Sequence, residues 1–283
     1  MENENKIIQK KCPSCAGDML EFNHLEGTFT CQFCGTVFKE ENDAVLVNKL
    51  EEISELRNHL NFDDAGDLID ELLEAYPESA ELYFQRILTR YGVTYVDEYE
   101  ERSTKPTLCR ASNVKVHDSK DYMKFKEYIS SNLKDYYLAK LDELEKLRHD
   151  IIVRASKQQP FDIFICYKRT AEGRTLTLDS AKARQIYEKL NRQGYKVFFA
   201  EETLVDFTGQ EYEPVIYNAL ISSRVMLVIA GSEPEYVNAP WVKNEWSRFL
   251  SFIDGDGDKT RAIIPVCCNG FKVEDLPIKL SRR

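Results

Sequence analysis

The sequence lacks any apolar run approaching the roughly 18–20 residues that a helical bilayer span needs, which excludes a membrane-spanning helix. Positive charge is in deficit: 38 Lys and Arg face 48 Asp and Glu, for a net charge of −10 and a pI near 5.1. Nucleic-acid phosphates repel such a chain, and no local basic patch offsets the deficit, so no nucleic-acid partner is expected. The opening Met1-Glu2-Asn3-Glu4-Asn5 is polar and acidic, unlike a secretion signal, so the expected location is cytoplasmic, with no membrane contact. Histidine is scarce. The four residues are His24, His59, His117 and His149, and none follows. A Ser-His-Asp or Cys-His mechanism within the C-terminal part is thereby excluded. No G-x-G-x-x-G occurs, so dinucleotide binding of the dehydrogenase type is unsupported. Asp254-Gly255-Asp256-Gly257-Asp258 suggests a calcium loop, but Lys259 and Pro265 stand where such a loop needs glycine and glutamate; a flexible turn is expected instead.

What is present begins with cysteine. Of eight, Cys12, Cys15, Cys31 and Cys34 form two C-x-x-C pairs separated by fifteen residues, a hairpin-type spacer. Two thiolates on each of two tight turns build a tetrahedral site for a soft-ligand metal, and Gly35 supplies the positive φ such turns favour. Zinc is the expected occupant, with iron a minority alternative. Four thiolates leave no open position for water, so the role is structural. The unit resembles zinc ribbons. Four Lys and six Asp/Glu between Met1 and Glu40 favour a protein partner or scaffolding over nucleic acid. Cys109, Cys166, Cys267 and Cys268 read as ordinary buried thiols.

Three parts follow from the patterning: residues 1–40 a zinc ribbon, 43–157 a helical region, and 160–283 an α/β domain. In the middle, Val45, Leu46, Leu50, Ile53, Leu56 and Leu60 recur at helical spacing, then Leu68, Ile69, Leu72, Leu73 and Tyr76 up to Pro77, then Leu82 to Tyr91 closed by Gly92. A helix pair of this length resembles one tetratricopeptide repeat unit (TPR-like), which must dock on a neighbour to bury its faces. Residues 93–117 show little periodicity and are expected to be irregular. From Asp118 to Ile151 a single helix of about 35 residues is expected, some 50 Å long, serving as a lever or dimerisation stem. Pro160 ends the region.

The last part alternates. Strands are expected at Phe161–Tyr167, Tyr195–Ala200, Arg224–Ala230 and Arg261–Cys267, and helices at Asp179–Gln193, Glu211–Ser222 and Trp241–Ile253. Near-continuous apolar strands separated by helices imply a parallel sheet covered on both faces. In a doubly wound sheet the strand tips and helix starts line the ligand crevice.

Four boxes carry a family resemblance. Phe164-Ile165-Cys166-Tyr167-Lys168-Arg169 resembles the F-I-S-Y-x-R first strand of Toll/interleukin-1 receptor (TIR) domains. Tyr195 to Ala200, with Leu204 and Gly209, resembles the second strand and its BB loop. Ser222 to Ile229 resembles the S-x-x-x-x-V-V-x-S strand, although Ala230 stands where many members have serine. Trp241-Val242-Lys243-Asn244-Glu245 resembles the following W-x-x-x-E helix. The order of ribbon, helical middle and this domain is similar to a group of bacterial TIR proteins. The resemblance implies a flavodoxin-like α/β fold. It also implies a further helix, a fifth strand and a closing helix after Cys268, so either a C-terminally truncated domain or a short form is expected.

Similarity to the enzymatic members implies NAD⁺ as substrate, cleaved at the nicotinamide–ribose bond to nicotinamide and ADP-ribose or a cyclic isomer, in defence or signalling. Breaking that bond leaves an oxocarbenium-like ribose and a neutral leaving group that needs no general acid. One carboxylate against the ribose can stabilise the developing positive charge. Glu245 is the candidate. Trp241, one turn earlier, would flank the base or ribose. Lys168 and Arg169 would meet the pyrophosphate, or else pair with Glu201 or Glu202. Tyr167 would shape the pocket, and Gly209 and Tyr212 would cover it. Homo-oligomers through the TIR domain and the long helix are implied. The alternative is a non-catalytic TIR interaction module that acts by assembly alone.

Overall fold

The structure, a computed structural model, describes residues 11–23, 28–39, 44–98, 103–171, 175–205, 212–231, 233–255 and 260–282. The chain divides into two compact units, Met1–His149 and Asp150–Arg283.

The first unit opens with β1 (Leu20–Asn23), β2 (Thr28–Cys31) and β3 (Val37–Lys39) in an antiparallel sheet. The register pairs Leu20 with Cys31 and Thr30 with Val37, which brings the two C-x-x-C turns to one end. Three helices follow: α1 (Ala44–Asn58), α2 (Phe62–Ala75) and α3 (Ala80–Arg90). Their apolar stripes meet in one core of Leu46, Leu50, Ile53, Ala65, Ile69, Leu72 and Leu82. Ser79 caps α3 by accepting from the Leu82 amide, and Gly92 turns the chain at φ +60, where a Cβ would strike the Arg110 amide at 2.9 Å.

Two expectations are corrected here. Residues 93–108 are not irregular: β4 (Val93–Glu98) and β5 (Ser103–Leu108) form a hairpin. Val93, Thr94 and Tyr95 are strand-favouring residues, but a hairpin strand pairing Tyr95 with Pro106 shows no clean alternation to read. The long helix is also broken. A 3₁₀ turn at Val116–Asp118 leads into α4 (Lys120–Tyr128), then α5 (Ser131–Ala155), and Ile129 between them is extended at ψ 132. The apolar spacing runs through the break, while Ser130-Ser131 supplies the polar residues that favour a new helix start.

The second unit carries β6 (Ile163–Cys166), α6 (Leu178–Arg192), β7 (Val197–Phe198), α7 (Ala200–Thr203), α8 (Tyr212–Ser222), β8 (Val225–Ala230), α9 (Pro234–Val237), α10 (Pro240–Gly255), β9 (Ala262–Cys267) and α11 (Ile278–Ser281). The sheet is parallel in the order β7-β6-β8-β9. One face, with Phe164, Cys166, Phe198, Met226 and Val228, packs on α8 and α10 through Ile216, Leu220, Trp246 and Phe249. The other, with Ile163, Ile165, Val197 and Phe199, packs on α6 through Ala183 and Tyr187. The chain leaves β6 toward β7 on one side and returns to β8 on the other. The switch point therefore lies at the carboxyl end of β6.

Among the described residues β9 pairs only with β8. Ala262 and Cys268 donate their amides toward β8, to Arg224 and Ala230. Alternation along the strand then directs the backbone of Ile263, Pro265 and Cys267 outward. The expectation of four buried thiols is corrected in part: Cys166 is buried, but Cys109, Cys267 and Cys268 are half-buried. Of the calcium-like stretch, Asp256 to Lys259 lie outside the described residues. No helix among the described residues is long and apolar enough to cross a membrane.

Candidate functional site

Two clusters bear chemistry, one in each unit. In the first, the sulfur atoms of Cys12, Cys15, Cys31 and Cys34 all lie within 4.8 Å of one another. Cys12 approaches Cys34, and Cys15 approaches Cys31, each at 3.6 Å. A tetrahedron with zinc–sulfur bonds of about 2.3 Å has edges of about 3.8 Å. The four cysteines are thus spaced to hold a metal ion. Gly35 adopts φ +68 in the second turn and Ala16 φ +60 after the first. Contacts with Cys12, Cys15 and Cys34 pull the Cys31 thiol down. Contacts with Cys15, Cys31 and Cys34 push the Cys12 thiol up.

In the second unit a cavity of about 250 Å³ sits at the carboxyl end of β6. Its wall includes Tyr167, Lys168, Arg169, Thr170, Trp241 and Glu245. The tip of β6 is held open by a short antiparallel return. Thr170 bridges Leu176, the Thr177 amide donates to the Arg169 carbonyl at 3.0 Å, and the Thr177 hydroxyl donates to the Lys168 carbonyl. Thr177 also caps α6, accepting from the Ser180 amide at 3.0 Å. The conformation of the Lys168–Arg169 segment is therefore fixed by the start of the next helix.

Glu245 stands on α10, whose first turn carries Trp241 into the same wall. The glutamate is only 6% exposed, whereas Trp241 is 37% exposed. Burial pushes the Glu245 carboxyl up to about 7; Cys166, Trp241 and Arg248 pull the other way, and Glu213 adds to the push. Cys166 lies beneath it on β6, wholly buried, and burial followed by the Glu245 charge raises this thiol well above its ordinary range. It therefore remains a neutral donor. Its thiol also reaches the Val242 carbonyl at 3.6 Å.

Beside the cavity, Glu201 gathers a network, where the sequence alone offers it only as a surface partner of Lys168 or Arg169. Its side chain is 7% exposed and accepts from Ser180 at 2.6 Å, Arg184 at 2.7 Å and Tyr167 at 3.2 Å. Burial works against this carboxylate, but those three hydrogen bonds outweigh it and hold Glu201 below the usual carboxylate range. Arg169 reaches Glu201 only at 3.8 Å, on an exposed side chain. Tyr212 opens α8, is exposed, and is not among the cavity-lining residues; Gly209 lies outside the described residues.

Residues 163–283 match the family model described as TIR domain. This segment is a TIR domain. Among solved structures, a metazoan TIR-STING receptor from C. gigas is similar to this chain at 23% identity, with a TM-score of 0.33, over 43% of this chain and 35% of that one. The match thus spans about a third of that protein. No curated protein matches.

Within the TIR domain, the cavity brings together Tyr167, Lys168, Arg169, Trp241 and Glu245 from two segments far apart in sequence. The wall also includes Ile165, Ala200 and Val242, which lie within the family-like boxes but carry no assigned role, and Thr170, which lies outside them. Ser180 and Arg184 were missed as well. One signal existed: Ser180 and Arg184 are one turn apart, so they share the α6 face on which both meet Glu201.

Proposed function

We propose that the TIR domain is an NAD⁺ glycohydrolase that breaks the nicotinamide–ribose bond, giving ADP-ribose or a cyclic isomer, in bacterial defence or signalling. The observation that carries this reading is a buried carboxyl, Glu245, in the wall of a cavity at the switch point of the sheet, with an aromatic ring one turn away. The substrate presents a cationic pyridinium ring, and the reacting ribose gains positive charge as that ring departs. Glu245 as the carboxylate stabilises that charge from a water-poor wall, where electrostatics act strongly. The departing nicotinamide is neutral, so the domain's lack of histidine is no obstacle. Trp241 flanks the ring or ribose, Tyr167 shapes the wall, and Lys168 and Arg169 meet the pyrophosphate. At about 250 Å³ the cavity is smaller than the 300–1,000 Å³ common for ligand pockets, and suits one half of a dinucleotide. The other half extends outside it, where Tyr212 and Gly209, from this copy or another, complete the cover. Zinc in the four-cysteine cluster is structural in this reading, and the helical middle, TPR-like in its pattern, is the spacer. Homo-oligomers form through the TIR domain and the α5 stem.

The test is free nicotinamide after incubation of purified protein with NAD⁺. Glu245→Ala should abolish release and leave the circular dichroism spectrum unchanged; undiminished turnover in that variant removes Glu245 from the mechanism. A second reading, a non-catalytic assembly module, is favoured by Val205, an aliphatic side chain 73% exposed just before residues 206–211. Under it, Val205→Asp breaks self-association while NAD⁺ stays intact with every variant, wild type included.

A further inference from the structure

One buried charge in the first unit has no place in the NAD⁺ chemistry. Arg57, near the end of α1, is 0% exposed. Its guanidinium donates to the Ser14 carbonyl at 2.8 Å, the Val93 carbonyl at 2.9 Å, the Gln85 side-chain oxygen at 3.0 Å and the Pro13 carbonyl at 3.4 Å. Its Nε has no hydrogen-bond partner. Among the described residues no carboxylate forms an ion pair with it. Glu81 is joined to it only through Gln85, which donates to Glu81 at 2.8 Å and to the Pro13 carbonyl at 3.0 Å. A buried cation without an anion is costly, and such groups are normally paired.

Pro13 and Ser14 are the two residues between the metal-spaced Cys12 and Cys15. Asn58, the next residue of α1, donates to the Cys15 carbonyl at 3.2 Å. The Lys11 amide donates to Glu51 of α1 at 2.9 Å. The first cysteine turn is therefore gripped by α1 and α3 and is no free-standing module. Four thiolates around a divalent ion carry a net charge of about −2, whereas four thiols are neutral. Metal loading would therefore place a negatively charged cluster at the turn that Arg57 grips, in addition to Glu81 beyond Gln85.

We propose that Arg57 is the counter-charge of a divalent metal centre at Cys12, Cys15, Cys31 and Cys34, so that metal occupancy governs the packing of α1 and α3 as well as the small sheet. The proposal rests on the metal reading of the cysteines but is independent of NAD⁺ cleavage.

The experiment uses the full chain loaded with zinc, its content measured by native mass spectrometry. Competition with a chromophoric chelator then compares wild type, Arg57→Gln, Arg57→Lys and Ile53→Ala. Ile53 is equally buried on α1 but contacts the helical core. Loss of charge in Arg57→Gln should weaken zinc binding at least about tenfold, and Arg57→Lys should recover most of it. Ile53→Ala should lower the unfolding midpoint yet compete like wild type. In wild-type protein, chelation should remove amide-exchange protection from α1 and α3, a readout that needs no variant to fold. Wild-type affinity in Arg57→Gln, or protection of α1 and α3 that survives chelation, would overturn the proposal. Absence of bound metal in native protein would overturn the metal reading and this proposal with it.

Discussion

At the scale of single residues, the buried Glu245 carboxyl opposes the fold that holds it. Its carboxyl titrates near 7 in the folded chain because burial penalises the charge. An exposed glutamate titrates near 4.3. The native state thus binds the proton more tightly than the unfolded state. Stability from this group is fully present below the unfolded value and is lost as pH rises toward 7. We expect Glu245→Gln, which stays neutral, to raise the melting temperature above pH 7 while eliminating nicotinamide release. The gain is on the order of 3 kcal/mol, and it vanishes near pH 4. Thermal scans across pH 4–9 check this; a melting temperature that falls equally at both ends would refute it. The same ionisation should govern chemistry. kcat/KM for NAD⁺ should rise tenfold per pH unit on the acid side and level off above about pH 7, since only the carboxylate stabilises the ribosyl cation.

At the scale of elements, α10 is anchored one turn beyond Glu245. Arg248 donates to Glu213 of α8 at 2.7 and 3.3 Å, and both side chains are 7% exposed. Removing one partner strands a buried charge. Arg248→Met should cost about 3–5 kcal/mol in denaturant unfolding, and adding Glu213→Gln should restore much of it. Two losses that simply add would show that the pair carries no coupling. The second unit was largely legible because its strands are continuous apolar runs and its helices are strongly periodic. Expected and observed helices at Asp179, Glu211 and Trp241 begin within one residue of each other. The short α9 and α11 carry too few turns to show a period. The hairpin at β4 and β5 was hidden because its pairing is set by tertiary neighbours and includes a proline. At the site, Trp241 and Glu245 were readable as a pair one turn apart. Glu201 was not readable, because its partners come from the residue just after β6 and from α6, and only folding brings them together.

At the scale of the whole molecule, the proposed NAD⁺ cleavage would depend on assembly if the cavity of about 250 Å³ takes only part of the dinucleotide and a second copy covers the rest. Specific NADase activity should rise with protein concentration, giving a rate steeper than linear; strict proportionality over a hundredfold range would argue for a site complete in one copy. The outer margin of β9 bears on how copies could meet. Pro265 sits midway along that margin and offers no amide, between the outward backbones of Ile263 and Cys267. A foreign strand laid alongside would find its hydrogen-bond ladder interrupted at the centre. Strand addition at this margin is thereby discouraged. Replacing Pro265 with valine would restore the missing amide, and the variant should self-associate more than wild type in sedimentation at equal concentration.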